Sequence, residues 1–287
     1  MPRATLVLGI SFGLSILMVT AWASARGRPS ESPQSTESAS LDPAHKQATG
    51  QLSSLETQRR KRALAALCAA VKTNAGYCQE WLSSEDFESV LKTTAGISLL
   101  TDLLKAESDD DQWQLAVEKL RQETDELVKT ARKANKAQSN LHLEKIQQHA
   151  DTLAKISPAF NVTPKYASRN DIRRVMNLLN GTYADAKRAL LFSEVEIAQR
   201  EAFVLWKVGK YLESQRAQGA REEAWAALAT AFSSASLHAA EMPSPGEEKL
   251  QLALKAAHTQ CENCHNREQP AGSPGLSQPN RLTFPVR

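Results

Sequence analysis

The residues best suited to chemistry crowd into five positions near the end of the chain. Cys261-Glu262-Asn263-Cys264-His265 reads C-x-x-C-H, the spacing of covalent haem attachment. On a helix the two thiols stand about one turn apart. Each can add across one vinyl group of the same porphyrin, sulfur to one carbon and hydrogen to the other. The histidine that follows then lies beneath the iron and offers an imidazole nitrogen as its proximal ligand. With 4 cysteines and 6 histidines in 287 residues, the pattern arises by chance about once in a thousand chains of this composition.

Three other uses of these side chains compete. A structural zinc site needs four ligands. No second C-x-x-C follows, so His258, Cys68 or Cys78 would have to be delivered by the fold. A thioredoxin-type redox pair belongs in a βαβ context. A disulfide between Cys261 and Cys264 is disfavoured within one helical turn. Cys68 and Cys78, ten residues apart, are about 15 Å distant on an unbroken helix. They could pair only if Asn74-Ala75-Gly76 broke it.

The elements that must position this motif are helices. Hydrophobic residues make up 41% of the chain and charged residues 23%, with a net charge of only +3. Interspersed charge of both signs leaves no basic patch, which excludes nucleic acid as a partner class. A mean hydropathy of -0.41 excludes a polytopic membrane protein. Residues 44–157 and 165–242 contain no proline, so long helices are permitted there. Apolar residues recur in steps of three and four along four segments of the C-terminal part. These stripes are Ile172-Met176-Leu179-Tyr183-Ala186-Leu190, Val195-Ala198-Ala202-Leu205-Gly209-Leu212, Trp225-Leu228-Phe232-Ala235-Ala239 and Leu250-Leu254-Ala257-Cys261. Four such helices with short links predict an all-α, up-down four-helix bundle holding a cofactor in its core.

A four-helix bundle with C-x-x-C-H near the end of its last helix resembles cytochrome c′ and its six-coordinate relatives. The resemblance covers residues 165–268. That family's first helix often carries Arg-x-x-Met, and Arg173-Arg174-Val175-Met176 matches the spacing. The resemblance implies one covalent haem c on Cys261 and Cys264, with His265 as proximal ligand. It further implies Met176 as distal ligand and Arg173 as a propionate contact. One departure stands out: the family's basic residue four after the histidine is replaced by Gln269, with Arg267 the nearest candidate. If Met176 binds, the haem suits an electron carrier; if it does not, the open iron suits small-gas binding.

The N-terminal part repeats the pattern without the motif. Leu141 to His149 aligns with Leu250 to His258 at a shift of 109, Trp113 with Trp225 at 112, Ser84-Glu85 with Ser193-Glu194 at 109 and Asn74–Tyr77 with Asn180–Tyr183 at 106. We therefore expect tandem bundles, a haemless one over 52–157 and a haem-binding one over 165–268. At the 109 shift Thr152, Lys155 and Ile156 replace Cys261, Cys264 and His265. His149 then persists beside no haem, which makes His258 a packing residue. Ile156, Leu153 and Trp81 are candidates to fill the lost haem's space.

Residues 5–23 are uncharged, follow Arg3 and end in Ala23-Ser24-Ala25. They read as an export signal with two fates open, cleavage or retention as a membrane anchor. Residues 1–25 thus form the signal, 26–51 a disordered linker and 269–287 a disordered tail. The expected protein is a periplasmic or extracytoplasmic monohaem cytochrome that passes single electrons to an unidentified redox protein. Family resemblance suggests a dimer. No nucleophile, base or phosphate loop marks it as an enzyme. The basic run Arg59 to Arg62 reads as the solvated start of a helix, with a docking patch as the alternative.

Overall fold

A computed structural model describes residues 43–160, 163–166, 172–215 and 222–268, with side chains outside the description at 43–53, 222–223 and 264–268. The signal segment, the first part of the linker and the tail lie outside the described residues. All secondary structure described is helical. The helices are α1 (Pro43–Ser83), α2 (Phe87–Ala106), α3 (Asp111–Arg132), α4 (Lys136–Lys155), α5 (Ile172–Leu191), α6 (Val195–Ser214), α7 (Glu222–Glu241) and α8 (Glu247–Glu268). Helix α1 begins inside the tract assigned to the linker, with Pro43 at its first position, where the missing N–H costs nothing. Among the described residues no helix is long and apolar enough to cross a membrane.

Local chemistry sets where the helices stop and start. Asp86, Asp110 and Asn135 cap α2, α3 and α4, accepting from the backbone N–H of Ser89, Trp113 and Gln138 at 3.0, 2.9 and 3.2 Å. Helix α1 closes with the amide of Asp86 on the carbonyl of Trp81 and that of Glu85 on Leu82, while Glu85 takes a φ of 61°. This is a Schellman closure. Helix α5 ends identically, with Glu194 on Ala189, Ser193 on Leu190 and a φ of 61° at Ser193. The two turns lie 108 residues apart.

Residues from Gln47 onward form one compact unit. Helix α2 packs on α3 and α3 on α4, α5 on α6, α6 on α7 and α7 on α8, and α8 returns to pack on α5. Trp113 Nε1 donates to the carbonyl of Leu104 at 2.9 Å, and Trp225 Nε1 donates to that of Leu212 at 3.1 Å, so the same indole bond ties α3 to α2 and α7 to α6. Helices α6 and α7 approach so closely that a Cβ at Gly209 would sit 2.8 Å from that of Ser233. Only glycine fits there. Helix α6 lies at the centre of the unit and buries almost every residue from Glu201 to Leu212.

The first four helices meet the last four along a polar seam. Glu107, at the C-cap of α2, is wholly buried and takes Lys207 Nζ at 2.6 Å and Arg60 Nε at 3.3 Å. Arg60 also donates to the carbonyl of Glu107 and lies 4.6 Å over the ring of Phe160. Burial pushes the Lys207 ammonium down, and the Glu107 carboxylate opposes that push. Arg59 grips Glu241, the last residue of α7, through two bonds of 2.5 and 3.0 Å. Two of the four residues in the basic run are therefore structural. Further along the seam, Tyr77 donates to Asp185 at 2.6 Å, and Arg188 donates to Tyr77 at 3.3 Å. Glu201 is buried and bonded to Arg200 at 3.1 Å, and Asp185 adds a like charge nearby.

The seam makes two testable statements. Glu107→Gln leaves two buried cations without their anion, a change that costs about 3 to 5 kcal/mol; urea unfolding should show that loss, and a loss below about 1 kcal/mol contradicts the seam. Burial raises the Glu201 carboxyl from 4.5 to about 7, against the pull of Arg200. Between those values the folded chain holds a proton that the unfolded chain has released. The contribution is thus fully present below the lower value and lost as pH rises through the upper. Glu201→Gln should flatten the decline in stability between pH 4.5 and about pH 7; an unchanged slope contradicts the assignment.

Candidate functional site

The motif lies in the last two turns of α8, whose apolar face carries Leu250, Ala253, Leu254 and Ala257 into the core. Cys261 continues that face, half-buried and packed against the core, while Glu262 and Asn263 are exposed. The backbone helix runs on through Cys264 and His265, whose side chains lie outside the described residues. Among the described residues no three His, Cys, Asp or Glu side chains converge as a metal cluster.

Opposite the motif stands α5. Tyr183 and His258 stack face to face, ring centroids 4.4 Å apart and planes within 12°. His258 Nδ1 lies 3.5 Å from Glu262. Burial raises the Tyr183 hydroxyl, and the neighbouring Glu262 and Cys261 add to it. This stack fixes the register between the two helices. They are antiparallel, because three reversals of direction separate them: α5 turns into α6 over three residues, Leu212 bonds Trp225 and Gln199 bonds Met242 between α6 and α7, and five residues join α7 to α8. Seven residues before Tyr183 is Met176, and seven after His258 is His265. Both lie two turns, about 10 Å, from the stack in the same direction. The sequence-predicted distal and proximal ligands therefore occupy one level of neighbouring helices. Met176 is half-buried against the core, and Arg173, in the first turn of α5, is exposed.

Burial corrects the alignment of the two halves at this point. At a shift of 109, Leu141, 43% exposed, would match Leu250, which is wholly buried. At 111 the buried positions coincide: Ser139 with Leu250, His142 with Ala253, Leu143 with Leu254 and Ile146 with Ala257. The counterparts of Cys261, Cys264 and His265 are then Ala150, Leu153 and Ala154, and that of His258 is Gln147. His149 is not the counterpart of His258, so the comparison with His149 carries nothing, but the stack on Tyr183 makes His258 a packing residue all the same. The α1–α5 shift of 108 makes Cys68 the counterpart of Met176 and Ala75 that of Tyr183.

A cavity of about 100 Å³ lies at the matching place in the first half, lined among others by Leu64, Cys68, Leu153, Ala154 and Ile156. Cys68, Leu153 and Ala154 are the counterparts of Met176, Cys264 and His265. Leucine and alanine fill the position of the motif, and the void they leave is far smaller than a porphyrin. Helix α1 runs unbroken through Asn74-Ala75-Gly76, so Cys68 and Cys78 cannot pair. Both are buried free thiols. Burial pushes each up to about 12, which keeps them protonated.

The described donors of the second half are of the kind a haem needs: a half-buried thiol at the start of the motif and a half-buried thioether on α5 at the level of position 265, with an aromatic pair two turns below. Sequence reading found the motif and Met176 but missed Tyr183 as a partner of His258. The signal was present, since both lie on helical stripes seven residues from a proposed ligand. Neither a family model, nor a curated protein, nor a solved structure matches this chain.

Proposed function

We propose that this chain is an exported monohaem c-type cytochrome that transfers single electrons, built as tandem four-helix bundles of which only the second holds haem. The observation that carries the reading is the shared level of Met176 and the C-x-x-C-H histidine on neighbouring helices. Cys261 and Cys264 would hold the porphyrin through thioethers, with His265 and Met176 as its iron ligands. When bound, the group supplies a one-electron iron couple in a cage whose potential the ligands tune. The chain's own part is to hold that cage rigid and dry. Helix α6 supplies an apolar wall, and Gly209 lets α7 close against it. A rigid cage keeps both oxidation states in one geometry, which lowers the reorganisation that accompanies transfer.

Haem c would be confined to the second half, since Ala150, Leu153 and Ala154 offer neither thiol nor imidazole. The likeness of the turns, the tryptophan bonds and the lengths of α2–α4 and α6–α8 supports duplication followed by loss of one haem. Export, by way of residues 5–23, supplies the compartment in which haem c is attached. The acceptor or donor would be another redox protein, and residues 5–23 would tether the chain to the membrane if they are retained.

The test compares ferric and ferrous spectra of the wild type and Met176→Ala, with and without carbon monoxide. The wild type should be low-spin and react slowly with carbon monoxide; the variant should become high-spin and react readily. A wild type that is already high-spin and matches the variant contradicts Met176 ligation and favours small-gas binding.

A further inference from the structure

The two halves of the chain serve as controls for one another around the motif. At the corrected shifts, the first half carries Ala75 where the second has Tyr183, and Gln147 where the second has His258. Its nearest equivalent contact is a single amide bond of 3.4 Å from Gln147 to Gln79, and Gln79 is the counterpart of Lys187. In the second half Lys187 instead lies 5.9 Å over the Tyr183 ring. The same helix pair is thus joined by small or flexible polar side chains where the motif is missing. It is joined by two stacked rings where the motif is present.

Position adds to this contrast. The stack lies between α5 and α8, one turn below Cys261 and two turns below the level of Met176 and position 265. Two flat, stiff side chains in face-to-face contact act as a wedge. They resist closer approach of the helices in a way that alanine and glutamine do not. A porphyrin with a ligand on each face needs its two helices held apart at a fixed distance. In the first half, which lacks such a pair, the space beside Cys68 is a cavity of about 100 Å³.

We infer that Tyr183 and His258 are positioning residues that form the floor of the haem pocket and hold α5 and α8 apart for the porphyrin. This rests on the haem reading above. The pair neither ligates iron nor attaches the group; it sets how well Met176 and His265 can face each other. A flat macrocycle is the ligand class such a floor fits.

The experiment uses the full chain, exported with a haem-attachment system. Tyr183→Phe, Tyr183→Ala and His258→Gln are compared with wild type for helix content, haem per chain, spin state and the rate of carbon monoxide binding. Tyr183→Phe keeps the wedge and should match wild type. Tyr183→Ala and His258→Gln should keep wild-type helix content and move the iron toward high spin. Carbon monoxide should then bind on the order of tenfold faster, the scale on which groups behind a ligand act. Wild-type spectra and rates in both disruptive variants overturn the inference. If Tyr183→Ala fails to fold, His258→Gln and Tyr183→Phe decide alone, because glutamine is what the first half already tolerates there. A wild type without haem overturns the haem reading itself, whereas a haem-loaded wild type with indifferent variants overturns only the floor.

Discussion

One buried carboxylate joins the first helices of this structure to the last. Glu107 sits at the end of α2 with no exposed surface, between Lys207 from the centre of α6 and Arg60 from α1. Three buried charges are costly to bring out of water, and their attraction offsets that cost only in good geometry with further contacts. Here the cations find those contacts in aromatic faces: Phe160 beneath Arg60 and Trp206 beneath Lys207, each 4.6 Å away. The result joins the C-cap of α2 to the most buried helix of the second half. It also traps the connecting strap, whose Phe160 and Tyr166 are drawn onto the same cluster. The two halves are consequently one unit, and α6 can be apolar nearly all round because α2 covers the face that a lone bundle would leave wet.

That constraint explains what the sequence revealed and what it concealed. The helices were legible, since two long proline-free blocks and steps of three and four leave few alternatives. The stripe Val195-Ala198-Ala202-Leu205-Gly209-Leu212 identified the inner face of α6. It said nothing of Phe203, Val204, Trp206 and Val208, which are equally buried. Burial of a second face depends on a partner far away in sequence, and local periodicity carries no trace of it. Arg59 and Arg60 looked like solvated charges for the same reason, because their anions stand 182 and 47 residues off.

The candidate site shows the opposite balance. The covalent chemistry proposed for it rests on five consecutive residues. Its geometry depended on register, and there letter matching misled. His149 and His258 share a residue type but not a place, and only burial separates the 109 shift from 111. The Tyr183–His258 stack puts Met176 and position 265 on one level, and the 111 shift shows that pair to be a feature of the half with the motif alone. Of Ile156, Leu153 and Trp81, the first two line the cavity beside Cys68 and Trp81 does not.

The central claim is that one haem, and only one, is covalently held by the second half. The most direct measurement is the intact mass of the exported chain under denaturing conditions, followed by mapping of the peptide that carries the added mass. The account predicts the polypeptide plus a single haem, located on the peptide containing Cys261 and Cys264. A bare polypeptide mass, a haem released by the denaturant, or a second haem on residues 52–157 would contradict it.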